Sequence, residues 1–179
     1  MQFLNSPDQY GLIAKILHWL IAVLMIALLG IGWWMVDLSY YDAWYNDALS
    51  WHKSLGILLG LVVVFKFLLS MVDKPPAPQA NLSTFERIAS KSAHSILRLS
   101  MLIIPITGYL VSTSEGASID VFGWFNFPVM LQINERARDL AIDIHYYFAY
   151  AALALIVVHA AAALKHQFMD HKGTLKRMF

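Results

Sequence analysis

The sequence predicts an all-α integral membrane protein, a four-helix bundle with both termini cytoplasmic. Three observations carry that expectation. Of the 179 residues, 59% are hydrophobic and 14% charged, against about 45–50% and about 25% in a soluble domain. Four apolar segments are long enough, or nearly so, to cross a hydrocarbon core about 30 Å thick. The basic residues also fall unequally on the two sides that those segments define.

The first span runs from about Leu12 to Val36. It is too long for the apolar stretch of a cleavable leader, and no small-residue cleavage site follows it. The second runs from about Ser54 to Val72. Its one cation, Lys66, lies near the inner end, from where the amine can snorkel to the interface. The third runs from about Ala93 to Val111, with Arg98 near its start and Pro105 and Gly108 placed to bend it. The fourth runs from about Ala141 to Leu164. These spans make one domain, residues 1–179.

The connections differ in character. Asp37 to Trp51 reads as a short outer loop rich in Tyr and Trp, residues that favour the membrane interface. Asp73 to Ser92 is the inner loop. Its Lys74-Pro75-Pro76-Ala77-Pro78 start ends the second helix sharply, and Ser83 or Thr84 is placed to cap a short helix leading into the third span. Ser112 to Asp139 is the longest outer segment. Within it Phe122-Gly123-Trp124-Phe125-Asn126-Phe127-Pro128 reads as a membrane-surface turn, and Met130 to Leu140 as a short polar helix running into the fourth span.

An even number of spans puts both termini on one side. That side carries Lys15, Lys66, Lys74, Arg87, Lys91, Arg98, Lys165, Lys172, Lys176 and Arg177, and the other only Lys53, Arg136 and Arg138. By the positive-inside rule the termini are cytoplasmic. The formal net charge of +1 is too small to point to nucleic acid.

Histidine placement is the most informative pattern. His145 and His159 lie fourteen residues apart on one apolar helix. Fourteen residues are almost four turns, so both imidazoles point roughly the same way, about 21 Å apart along the axis. The topology puts His52 at the outer level with His145, and His18 at the inner level with His159. The face between the two fourth-span histidines is Ala149, Ala152 and Ile156, with Ala163 beyond. Gly56 and Gly60 share a face below His52. Small residues there leave room for a flat macrocycle held edge-on, or allow close helix packing. Four intramembrane histidines at two depths suggest two bis-histidine haems stacked across the membrane. With both axial positions of each iron filled, such a pair moves single electrons. A metal-transport site or a non-redox scaffold is the competing reading. Transport would normally bring intramembrane carboxylates, and none lies deep in these spans. Cysteine is absent, which excludes disulfides, iron–sulfur clusters and thioether-linked haem.

Four further residues are candidates for contacts with haem propionates or a quinone. His94 is near the inner end of the third span. Lys165 and His166 are at the inner surface after the fourth, and Lys53 neighbours His52. For His94 and Lys53 an ordinary interfacial role is the alternative. His171 reads as solvated tail.

His18-Trp19, Trp51-His52-Lys53-Ser54-Leu55-Gly56, His94, the Pro105/Gly108 region, His145, His159, the run Ala160 to Phe168 and the terminal Thr174-Leu175-Lys176-Arg177-Met178 together resemble the bacterial cytochrome b561 family. The resemblance covers nearly the whole chain, and the ordered set is more specific than any one element. It implies two b-type haems on His18, His52, His145 and His159, and electron exchange with ubiquinone. The best-characterised type in the family is a superoxide oxidase, in which superoxide reduces the haems and quinone accepts the electrons. Here the outer side carries eight acids, Asp37, Asp42, Asp47, Glu115, Asp120, Glu135, Asp139 and Asp143, against its three cations, which weighs against an anionic donor. The resemblance therefore leaves two expectations. One is a quinone-linked oxidoreductase fed from the outer face. The other is a relay or anchor module passing electrons between quinol and a separate periplasmic or membrane redox partner. Neither requires a particular oligomeric state.

Overall fold

The computed structural model describes residues 2–77 and 82–179. Pro78, the last proline of the run expected to end the second helix, lies outside the described residues, as do the next three positions of the inner loop. In chain order the elements are α1 (Leu12–Val36), α2 (Tyr45–Val72), α3 (Thr84–Thr113), the strands β1 (Ile119–Val121) and β2 (Phe125–Phe127), α4 (Glu135–Phe168) and a 3₁₀ turn (Leu175–Arg177). All four α-helices are long and apolar enough to cross a membrane.

α1 has the expected bounds, but the other three helices outrun their hydropathy. α2 begins at Tyr45 rather than near Ser54, α3 at Thr84 rather than near Ala93, and α4 at Glu135 rather than near Ala141. The added turns carry Asn46, Asp47, Glu86, Arg87, Arg136 and Arg138. Hydropathy marks only the part of a helix that lies in hydrocarbon, and these turns project beyond it. The short helices expected before the third and fourth spans are thus the first turns of α3 and α4.

Three helix starts show how the orphan N–H groups are met. In α3, Ser83 and Glu86 form a reciprocal capping box, with Glu86 N donating to Ser83 Oγ at 3.2 Å and Ser83 N to Glu86 Oε2 at 2.8 Å. Asn134 caps α4 by accepting from Ala137 N at 2.9 Å. α1 has no side-chain cap. There the chain before it folds back, and Leu12 N and Ile13 N donate to the carbonyls of Gln2 and Phe3. Gly11 makes this possible, because a Cβ at that position would lie 2.3 Å from the Leu4 carbonyl carbon.

Consecutive helices pack against one another. The main core joins Ile21, Met25 and Leu28 of α1, Leu59 and Val63 of α2, and Ala152 of α4. Outward-facing apolar side chains such as Val23, Ile26, Phe65, Phe67, Val157 and Val158 are exposed. A bilayer supplies their apolar surroundings while each helix satisfies its own backbone.

The expected surface turn proves to be a β-hairpin, with Ile119 opposite Phe127 and Val121 opposite Phe125. Its loop places both Phe122 and Gly123 at positive φ, 52° and 70°, the handedness that matches strand twist. Ile119 and Val121 pack on Ile57 of α2. The fully buried Ser54 hydroxyl bridges the hairpin backbone, donating to Asp120 O and accepting from Phe122 N, both at 3.2 Å.

Both ends of the chain meet on the opposite side of the bundle. Lys15 Nζ donates to Phe179 O at 2.5 Å, and Trp19 Nε1 to Met178 O at 2.9 Å.

Candidate functional site

The bundle brings the four histidines together in two pairs. On the hairpin side the rings of His52 (α2) and His145 (α4) have centroids 6.1 Å apart, inclined by 70°. On the termini side those of His18 (α1) and His159 (α4) are 6.5 Å apart, inclined by 58°. The fourteen-residue step on α4 separates the two levels, and the main apolar core lies between them.

The outer pair is shaped by three groups. His145 Nδ1 lies 2.9 Å from Ile104 O and 3.3 Å from Thr107 Oγ1, both on α3. A carbonyl oxygen can only accept, so Nδ1 carries the proton and Nε2 keeps a free lone pair. Gly108 lets α3 pass close by, because a Cβ there would lie 2.9 Å from His145 Cε1. Gly32 of α1 plays the same part for His52, at 3.1 Å from its Cε1. His52 Nδ1 is itself buried without a hydrogen-bond partner, a costly state for a polar atom.

A third imidazole joins the inner level. His94 of α3 has its ring centroid 5.0 Å from that of His159, edge to face. Its Nδ1 lies 2.7 Å from Ser90 O, so that nitrogen also carries the proton. The small face of the bundle has two uses. A Cβ on Gly60 would meet Pro105 of α3 at 3.5 Å, which is close helix packing, whereas one on Gly56 would meet nothing within 4 Å.

The structure gives the remaining candidates other neighbours. Lys165 Nζ donates to Asp170 Oδ2 at 2.7 Å. His166 Nδ1 also lies 2.7 Å from that oxygen, and 3.8 Å from Glu86 Oε1. Lys172 donates to both Glu86 oxygens at 2.9 and 3.0 Å. This ion network ties the start of α3 to the end of α4. Sequence reasoning missed Asp170, which lies just beyond the end of α4; only its four-residue step from His166 hinted at it. Lys53 lines a cavity of about 240 Å³ between α2, the end of α3 and the hairpin, with Asn46, Ser112, Ser118 and Asp120. Sequence reasoning missed Gly32 and Ile104. Only the nearness of a glycine to an apolar helix's end hinted at the first, and a backbone carbonyl leaves no trace in composition.

Four apolar helices enclosing paired histidines define the class of membrane b-type cytochromes. The comparisons agree. A family model described as prokaryotic cytochrome b561 matches residues 9–179. Cytochrome b561 homolog 2 of Escherichia coli K12 is 42% identical over 178 residues, 99% of this chain and 95% of that protein. Cytochrome b561 homolog 1 of the same organism is 27% identical, covering 90% of this chain and 92% of its own. A protein of Yersinia pestis described as probable superoxide oxidase CybB is 26% identical, covering 90% of each. The chain belongs to the prokaryotic cytochrome b561 family. It is a bacterial membrane electron-transfer protein, and its family implies b-type haem.

Proposed function

We propose that the chain carries two b-type haems, the outer between His52 and His145 and the inner between His18 and His159. On this reading it exchanges electrons with ubiquinone across the bacterial inner membrane, with both termini cytoplasmic. The observation that carries the reading is the separation of the rings. A metal sits about 2 Å from a ligating imidazole nitrogen, so two imidazoles sharing one iron have centroids roughly 6.4 Å apart. The measured 6.1 and 6.5 Å suit that arrangement. The 5.0 Å between His94 and His159 is too short for it, which leaves His94 to a neighbouring role beside the inner haem or a quinone. The glycines beside His52 and His145 fit the same picture.

A bis-histidine b haem supplies one-electron transfer and offers no open iron position. The chain's own residues do the rest. Ile104 fixes the tautomer of His145 and turns Nε2 inward, and proton donation to a carbonyl raises the basicity of the free nitrogen. Gly32 and Gly108 let α1 and α3 close on the pair. The apolar core excludes water between the levels.

The donor on the hairpin side is open to two readings. A protein partner docking on the aromatic outer loops suits Trp34, Trp44 and Trp51, whose rings follow one another at 6.4 and 6.2 Å toward His52. Superoxide is suggested by the description of one relative, against the acidic outer side.

The test is an absorption spectrum of reduced purified protein with haem counted per chain. Two low-spin b haems are expected, with His145→Ala and His159→Ala each removing one. A colourless protein, or either variant keeping both haems, overturns the reading. Rapid haem reduction by superoxide with quinol formed catalytically selects the oxidoreductase. Activity only in the presence of a co-purifying redox protein selects the relay.

A further inference from the structure

We infer that Lys66 of α2 and Arg98 of α3 are the cationic anchors of the inner haem's two propionates. This rests on the two-haem reading.

The first observation is register. Lys66 lies fourteen residues after His52 on α2, the same step that separates His145 from His159 on α4. Both helices run from the hairpin side to the termini side, so the step carries Lys66 from the outer pair's level down to that of His159. Fourteen residues also bring it back near the face that His52 occupies. Lys66 is half-buried. It lies near enough to interact electrostatically with His18, and Arg98 near enough to interact with Lys66. Arg98 is one turn beyond His94, and its Nε donates to His94 O at 3.2 Å. The two cations thus flank the inner histidines.

The second observation is what these cations lack. Among the described residues neither Lys66 nor Arg98 has a carboxylate partner. Among the described residues, the acidic side chains in ion pairs on the termini side, Asp170 and Glu86, are held by Lys165, His166 and Lys172. An unpaired cation within a membrane span is expensive, and two side by side repel as well. A b haem brings two carboxylates, enough to neutralise both. Lys165 and His166, the nearest cationic candidates from sequence alone, already hold Asp170 and are less available.

The arrangement has a redox consequence. Cations beside a redox centre favour the form carrying the extra electron. On the hairpin side Arg138 pairs with Glu115 and Asp139. Lys66 and Arg98 therefore raise the potential of the inner haem.

The experiment uses full-length protein in detergent or nanodiscs. Lys66→Gln and Arg98→Gln are compared with Lys165→Gln by spectroelectrochemical titration and by the propionate bending modes in resonance Raman spectra. The first two are expected to lower the inner-haem midpoint and shift those modes, leaving the outer haem unmoved. Charge-keeping Lys66→Arg and Arg98→Lys should restore the potential, and Lys165→Gln should change neither readout. If Lys66→Gln and Arg98→Gln move nothing, both cations merely snorkel to the interface and the inference is wrong. If neither Gln variant accumulates, a structure of the haem-loaded wild type decides. Propionate oxygens against Lys66 Nζ and the Arg98 guanidinium support the inference, and propionates on Lys165, His166 or solvent overturn it. Wild-type protein that binds no haem would defeat the two-haem reading itself, which is a separate result.

Discussion

His145 of α4 donates its Nδ1–H to the carbonyl of Ile104 on α3, at 2.9 Å. One helix therefore sets which nitrogen of the other is free. Thr107 adds its hydroxyl at 3.3 Å while donating back to the carbonyls of Ile103 and Ile104. The contact exists only because Gly108 lets the two helices approach.

Gly108→Ala should therefore displace His145. Alanine is the better helix former by about 0.8–1 kcal/mol, so propensity alone would make this change stabilising. The new Cβ would instead lie 2.9 Å from the imidazole. Haem content is expected to fall from two toward one per chain, with the outer centre lost in redox titration. Gly30→Ala is the control, since nothing lies within 4 Å of its Cβ position. Two intact haems in Gly108→Ala would show that the ring can shift without losing iron.

Ser54→Ala should free the hairpin. The hydroxyl satisfies two backbone groups, and leaving them unpaired costs about 1–3 kcal/mol. Hydrogen exchange at the Phe122 amide is expected to accelerate, with the outer haem retained. Unchanged exchange would mean that packing on Ile57 holds the hairpin alone.

Salt should reveal the charge of the outer donor. Eight acids against three cations on that side repel an anion, and screening weakens the repulsion. Haem reduction by superoxide is expected to quicken as ionic strength rises in stopped-flow measurements. A rate that falls with salt would indicate a local positive funnel that outweighs the surrounding acids.

Acid should loosen the join between the end of α4 and the tail. The Lys165 ammonium, with His166, holds the Asp170 carboxyl below its ordinary value of 3.8. A depressed pKa adds stability that is present above the unfolded value and lost as pH falls through the folded one. The join should be intact at neutral pH and open only below about pH 3.8. Asp170→Asn should open it at pH 7. Hydrogen exchange over residues 165–179 measures both, and equal protection in Asp170→Asn would assign the join to Glu86 and Lys172 instead.

The spans and both histidine pairs were legible because the bilayer imposes a hydropathy signal and the fourteen-residue step is a helical period. The polar first turns of α2, α3 and α4 were not, since outside hydrocarbon nothing marks them as helix. The hairpin hid behind three-residue strands, too short for alternation to stand out, although Ile119 and Val121 bury while Asp120 does not. Phe122 at positive φ is uncommon for a bulky side chain, so sequence rules argue against the turn that forms. Lys66 read as a snorkelling lysine because its relation to Arg98 and His18 exists only once three helices are packed.

His145 and His159 ride one helix of 34 residues with no proline inside it. Their spacing is consequently a covalent ruler rather than a product of packing. Thicker lipid, warming or a repacked core can tilt that rod but cannot lengthen it. Tunnelling falls off exponentially with distance, so on the two-haem reading the hop between the levels is the step least open to tuning by the surroundings.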